Sequence, residues 1–180
     1  GAGQILEAQK LLNRLGFDTA LRERFGPLRQ PFALFCLDLD GFKGVNDRHG
    51  HGAGDLVLQG VAERLGQIVG AEAVLGRLGG DEFAILLDGA FSRDDLEALG
   101  HRLRAAICMP YPLGGITARI GVSIGIAEAP GQASSPQGLV VIADAALYRA
   151  KSGQGDGVCL GSLGERTPRG GTPGGAQNAV

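Results

Sequence analysis

Six consecutive apolar residues, Phe32 to Leu37, run straight into Asp38-Leu39-Asp40. An unbroken apolar run this short predicts a fully buried central strand, because it lacks both the length and the spacing of a helix. Carboxylates at the end of such a strand are costly unless something compensates them, and a cation is the usual compensation. A second run constrains the fold almost as tightly. From Ile116 to Ile126 the residues alternate without a break, with Ile116, Ala118, Ile120, Val122, Ile124 and Ile126 on one face. The other face carries Thr117, Arg119, Gly121, Ser123 and Gly125 and is mostly small, which leaves room for something to lie on it.

The remaining pattern supplies the partners of these strands. Ile5 to Leu15 has a loose helical spacing and reads, over residues 1–15, as the end of an upstream helix or a linker. Phe17, Leu21 and Phe25 repeat every four residues and predict a short helix closed by Gly26-Pro27. Asp55 to Val69 and Asp94 to Ile107 predict two longer amphipathic helices. Ala73 to Leu78, Gly79-Gly80 and Asp81 to Leu87 read as a hairpin with a two-glycine turn. Ser135 and Pro136 open a last helix that runs to about Lys151, and Val158 to Leu160 predicts a short edge strand. Residues 161–180 are rich in Gly, Pro, Thr and Arg with few apolar residues, a composition that predicts a flexible tail or linker. Helices and antiparallel strands mixed in this order predict an α+β domain over residues 16–160, with helices flanking a mostly antiparallel central sheet.

Composition narrows the function classes. The chain has 180 residues, 44% of them hydrophobic and 20% charged, which predicts one soluble domain. A domain of this size buries roughly 70% of its unfolded surface and needs no staple. A net charge of −2 argues against a nucleic-acid binder that works by bulk electrostatics. No window approaches ~18 consecutive apolar residues, so no membrane insertion is expected from this chain. No charged segment followed by an apolar core opens it, so no signal peptide is read, and the opening GAGQ is compatible with a cloning remnant. Cys36, Cys108 and Cys159 are too few and too scattered for a disulfide framework or a zinc site, which predicts a reduced, cytoplasmic setting.

Chemistry concentrates in two acidic segments. In the first, Leu37 to Asp47, oxygen ligands at Asp38 and Asp40 suit Mg²⁺, which takes one or two carboxylates together with substrate phosphates. Lys43 stands close enough in sequence to meet a phosphate. An Asp-Gly turn after a strand explains the same residues without a ligand. An EF-hand loop is excluded, because Phe42 takes a ligand position and the glycine that loop requires is missing. In the second segment, Arg77 to Leu87, Asp81 and Glu82 directly follow Gly79-Gly80 within an apolar hairpin. Such glycines allow a close backbone approach to a ligand, and the two acids would complete a metal site begun by Asp38. Other features have sufficient structural explanations: Asp55 as the start of a helix, Lys151 as a cation at a helix C-terminus, His49 and His51 as loop histidines. Neither a Walker A sequence nor a dinucleotide fingerprint is present.

Taken together, Asp38-Leu39-Asp40-Gly41-Phe42-Lys43, Asn46-Asp47, His51 to Asp55, Gly79-Gly80-Asp81-Glu82-Phe83 and Ala146 to Lys151 resemble the GGDEF family of diguanylate cyclases. The resemblance extends from about Leu11 to Leu160. It implies a fold like the palm of nucleotidyl cyclases and polymerases, and the condensation of two GTP molecules into cyclic di-GMP and two pyrophosphates by two-metal catalysis. It further implies that Asp38, Asp81 and the Leu39 carbonyl hold Mg²⁺ or Mn²⁺, and that Glu82 helps with the metal or with the 3′-hydroxyl as a catalytic residue. Asn46 and Asp55 would read guanine. Phe42 and Lys43 would offer backbone amides to phosphates, Gly79 and Gly80 would border the nucleotide, and Lys151 would add charge to the triphosphate. Each chain would hold one GTP, so catalysis needs a homodimer, and flanking sensor or effector domains are expected in the full-length protein. The resemblance is compatible with the cytoplasmic part of a larger, membrane-associated protein.

Three departures accompany it. Leu6 to Lys10 stand where the family usually has Asp-x-Leu-Thr-Gly. Gly155 replaces a basic residue common four positions after the helix lysine. Gly70 and Ala73 replace the Arg-x-x-Asp motif of product inhibition. The first two keep a second reading open, a catalytically weak or inactive GTP-binding domain that regulates a neighbouring module. A purely structural dimerisation domain leaves the acids at the end of a buried strand unexplained.

Overall fold

A computed structural model describes residues 10–162. The first element, β1 (Leu11–Leu12), is followed by α1 (Arg14–Glu23), β2 (Phe32–Asp40), α2 (Phe42–His49) and α3 (His51–Val69). Then come β3 (Val74–Arg77), β4 (Glu82–Asp88), α4 (Arg93–Cys108), β5 (Tyr111–Pro112) and β6 (Thr117–Ala118). The chain closes with β7 (Gly121–Ala129), α5 (Pro136–Lys151), a 3₁₀ turn at Gln154–Gly157 and β8 (Val158–Leu160). Six strands form the main sheet in the order β1-β3-β4-β2-β7-β8. The inner pairings are antiparallel; only the edge strands β1 and β8 join in parallel. The fold is therefore the expected α+β arrangement with a mostly antiparallel sheet.

β2 sits between β4 and β7, and its apolar run is buried on both faces, with Phe35 fully enclosed. Phe35, Leu37 and Leu39 point into a core shared with α2, α3 and α4 through Phe42, Val57, Val61, Leu65 and Leu103. Leu34 and Cys36 point the other way, into a core shared with α1 and α5 through Phe17, Leu21, Leu139 and Ala143. Registration across the sheet sorts this second face into rows. Leu34 lies level with Leu86 and Ala127, and Cys36 with Ala84 and Gly125. Asp38 lies level with Glu82 and Ser123. The row of small residues lets α5 come close: a Cβ at position 125 would collide with the Ala143 carbonyl and the Leu147 backbone. The small face of the alternating segment is thus the seat of α5. The next row, beyond the small one, is polar and lies at the end of the sheet.

Four expectations need correction. Leu11 and Leu12 form β1 rather than a helix, because their backbone pairs with Leu75 and Gly76; residues 1–9 of that segment lie outside the described residues. Asp55 does not start its helix. α3 begins at His51 after Gly50, and the preceding acidic segment holds a further helix, α2, that glycine-rich sequence concealed. The turn of the β3–β4 hairpin spans Leu78 to Asp81 and is closed by Leu78 N–H donating to the Glu82 carbonyl (2.8 Å). The alternation from Ile116 is split, since β6 pairs with β5 and β7 joins the main sheet, leaving Ile116 partly exposed. At the other end, Gly161 N–H still donates to the Ile126 carbonyl (2.7 Å), and residues 163–180, most of the expected tail, lie outside the described residues.

Gly125→Val should cost about 3 kcal/mol, the upper range of overpacking, because the collision is with helix backbone rather than a mobile side chain. Gly52, in the first turn of α3, faces open space, and Gly52→Ala should leave stability unchanged or raise it by about 0.5 kcal/mol. Urea denaturation of both variants tests the packing; an unchanged midpoint for Gly125→Val would contradict it.

Candidate active site

The polar row ends the sheet where β2 gives way to α2. Asp38 is largely covered, its side chain 14% exposed, and Lys151 at the C-terminal end of α5 places its ammonium on the Asp38 carboxylate. The pair follows from the fold: β2 aims Asp38 at the α5 face, and α5, seated on Gly125, runs its last turn over the end of the sheet. The hydrogen bond to Asp38 raises the Lys151 pKa above its ordinary 10.5, against partial burial that lowers it, and the charges of Asp38, Asp40 and Asp81 add to the rise. Raised above its unfolded value, Lys151 keeps the pair intact through neutral pH and loses it only as pH climbs through the folded value.

Asp40, two residues on, accepts a hydrogen bond from Ser123 Oγ (2.9 Å). Asp81 closes the β3–β4 turn, and its carbonyl accepts from Leu39 N–H (2.9 Å), tying the glycine turn to the end of β2. Arg77 clips the same turn by donating to the Gly79 (3.1 Å) and Gly80 (3.0 Å) carbonyls. Neither Gly79 nor Gly80 has a positive φ, and a Cβ at position 80 would meet nothing within 4 Å. Backbone conformation and packing therefore leave position 80 open to a side chain, and what the glycine provides is bare, exposed space beside Asp81.

Glu82 stands in β4 opposite Asp38, and Arg14 at the start of α1 pairs with it (3.4 Å) while donating to the Leu78 carbonyl (3.2 Å). Asp144 of α5 borders the same cavity of about 240 Å³ as Arg14, Glu82 and Cys36. Burial raises the Asp144 pKa, Glu82 raises it further, and Arg14 lowers it. Cys36 on the cavity floor is pushed well above the thiol range, chiefly by burial.

Across the end of β2, α2 begins at Phe42 after Gly41, with no side chain capping its first turn. The free N–H groups of that turn form an anion-seeking surface next to the acids. Phe42 buries its ring in the core and Lys43 is exposed. Asn46 of α2 and Asp55 of α3 are brought to one place by the sharp connection at Gly50. A Cβ at position 54 would overlap the Asn46 carboxamide, so Gly54 lets the helices approach beside Asp55. His49 and His51 are exposed at the same connection.

Among the described residues no three His, Cys, Asp or Glu side chains form a ready cage for a metal ion. The arrangement still suits a hard divalent cation. Its donors are oxygens, a cationic group already occupies Asp38, and such a cation takes few carboxylates when phosphates complete its shell. Sequence reasoning missed Arg14, Ser123 and Asp144, whose surroundings depend on tertiary structure; only Ser123 was signalled, by its place on the small face.

A family model for the diguanylate cyclase GGDEF domain matches residues 8–156. The chain belongs to the GGDEF family of diguanylate cyclases. It is 41% identical over 154 residues to the bifunctional diguanylate cyclase/cyclic di-GMP phosphodiesterase MucR of Pseudomonas aeruginosa, covering 84% of this chain and 22% of that protein. It is 40% identical over 124 residues to the diguanylate cyclase TpbB of the same organism, covering 68% of this chain and 28% of that one. The chain thus spans about a quarter of the length of these relatives. The solved GGDEF domain of TpbB superposes with a TM-score of 0.78 at 34% identity, over 88% of this chain and 95% of that one. An active GGEEF domain from Vibrio cholerae superposes at 0.75 with 27% identity, over 86% and 99%. Diguanylate cyclases of this family depend on divalent metal. Among the described residues no helix is long and apolar enough to cross a membrane.

Asp144→Asn should raise stability at pH 7 by no more than about 1 kcal/mol, since the carboxylate is partly solvated. The raised pKa means that the charged form costs stability above the folded value, and that the cost disappears as pH falls towards the ordinary 3.8. Denaturation of both proteins across pH 4 to 8 checks this; a gain that does not shrink on acidification would contradict it.

Proposed function

We propose that this domain is an active diguanylate cyclase that condenses two GTP molecules into cyclic di-GMP with release of two pyrophosphates. One observation carries the reading. A covered carboxylate, Asp38, holds a cation at the end of the sheet, flanked by an open glycine turn on one side and an uncapped helix start on the other.

In this reading Asp38, Asp81 and the Leu39 carbonyl hold Mg²⁺ or Mn²⁺, and Lys151 leaves Asp38 for the triphosphate. When bound, the metal lowers the pKa of the attacking 3′-hydroxyl and neutralises charge on the α-phosphate and the leaving pyrophosphate. The amides of Phe42 and Lys43 receive phosphate oxygens, and the Lys43 ammonium offsets charge on the leaving group. Gly79 and Gly80 give the nucleotide room. Arg14 holds Glu82 in place beside the metal carboxylates. The Asp55 carboxylate accepts from guanine N1–H and the 2-amino group, which adenine does not offer, and Asn46 completes the base contact. The 3′-oxygen of one GTP bonds to the α-phosphorus of the other, whose bond to the β-bridging oxygen breaks. Two chains must face each other to bring this about twice. The greater length of the relatives supports flanking domains that control such pairing.

Asp81→Asn should lower turnover at least ~100-fold while leaving the thermal midpoint within a few degrees, because the residue is half-buried in a turn rather than part of the core. The assay is chromatographic separation of products formed from GTP and Mg²⁺. Substantial product from the variant would contradict the metal assignment, and GTP binding by the native protein without product would favour the regulatory reading. Native protein should prefer GTP to ATP by roughly 100-fold or more, and Asp55→Ala should erase most of that preference. Equal competition by ATP at the native site would overturn the base assignment.

A further inference from the structure

Beside Lys151 lies a depression of about 320 Å³ bordered by Asp40, Ser123, Lys151, Gly153, Asp156 and Arg104. Arg104 comes from α4, which packs on the opposite face of the sheet from α5. It reaches this depression past the start of the edge strand β8, where the chain at Gly157 passes so close that a Cβ would collide with the Arg104 Nε and stem. The Nε is buried and has no hydrogen-bond partner among the described residues. A buried donor without a partner is costly, more so when it belongs to a charged group, and such a group calls for an explanation. Neither ion pairing nor packing supplies one. Among the described residues no salt bridge or hydrogen bond to Arg104 accompanies this burial, and the neighbouring Asp40 carboxylate is engaged by Ser123.

The surroundings point to an anionic ligand. Lys151 is the other cation of the depression, and it stands at the acids where the triphosphate is placed. Position 155, in the turn between α5 and β8, carries glycine at φ +60, so this turn sends no cation into the site. One ammonium is a small counterpart to a triphosphate of roughly four negative charges, and a planar guanidinium recognises phosphate oxygens through paired N–H groups. We propose that Arg104 is a triphosphate-binding residue of this domain, acting with Lys151 from the opposite side of the sheet and supplying the cation that the turn at Gly155 lacks. The assignment rests on the reading of the site as one for GTP. It makes α4, an element on the opposite face of the sheet from α5, part of the nucleotide site. Asp40 and Asp156 border the same space but are exposed, so solvent screens them.

The test is calorimetric binding of 3′-deoxy-GTP and 3′-deoxy-GMP in Mg²⁺, since neither has the hydroxyl needed for turnover. Arg104→Met keeps the apolar stem and removes the charge. It should weaken the triphosphate roughly tenfold and the monophosphate less than about twofold. Arg104→Lys, which restores a cation, should recover the triphosphate to within about threefold of native. Equal weakening of both nucleotides, or no weakening by Arg104→Met, would overturn the assignment while leaving the GTP site standing. Failure of the native protein to bind either nucleotide would overturn the GTP reading itself.

Discussion

The register of β2 between its two antiparallel neighbours is the constraint on which the rest depends. Alternation along this strand decides which residues face α5 and which face α2, α3 and α4. With Phe35 and Leu37 on one face and Cys36 on the other, Asp38 necessarily faces α5 at the end of the sheet. A slip of one residue would exchange the faces, bury Asp38 among the α2–α4 core and bring Leu37 under Lys151. The apolar run fixes that register, because the large residues of β2 have matching partners only in one alignment: Leu34 against Leu86, Phe35 against Ile85 and Ile126.

From that register the electrostatics follow. The row of Cys36, Ala84 and Gly125 lets α5 settle close to the sheet, and the closeness carries Lys151 onto Asp38. The far side is built differently. There Gly41 opens α2 without a side-chain cap, so the helix presents free amides to whatever the acids attract. A covered carboxylate paired with an ammonium that is itself 43% exposed is a poor device for stability, since solvent screens the pair from the lysine's side. In the proposed function it serves exchange, in which a divalent ion takes the carboxylate and the ammonium moves to a phosphate. The same economy explains the glycines at 79 and 80, which no turn conformation demands and which leave the approach to Asp81 bare.

Much of this was legible in the sequence. The strand of Phe32 to Leu37, the acids that end it, the hairpin around Gly79-Gly80, the Ser135 cap and the small face of Gly121 to Gly125 all stand where composition and spacing put them. What escaped did so for physical reasons. α2 has only Phe42 and Val45 to bury and carries Gly44 inside, so no apolar period announces it. β1 is two residues long and gains its form entirely from pairing with β3. The break between β6 and β7 interrupts no alternation and is set by β5, a tertiary partner. Within the site, single residues were legible and pairs were not. Nothing local links Asp38 to Lys151, Glu82 to Arg14, or Arg104 to the turn before β8.

The central claim is that Asp38 exchanges its ammonium partner for a divalent metal when nucleotide arrives. Electron paramagnetic resonance of Mn²⁺, titrated into the protein with and without 3′-deoxy-GTP, measures this directly. The account predicts weak Mn²⁺ binding alone and binding at least ~10-fold tighter with the nucleotide, an enhancement that Asp38→Asn abolishes. Nucleotide-enhanced Mn²⁺ binding that survives Asp38→Asn unchanged would contradict it.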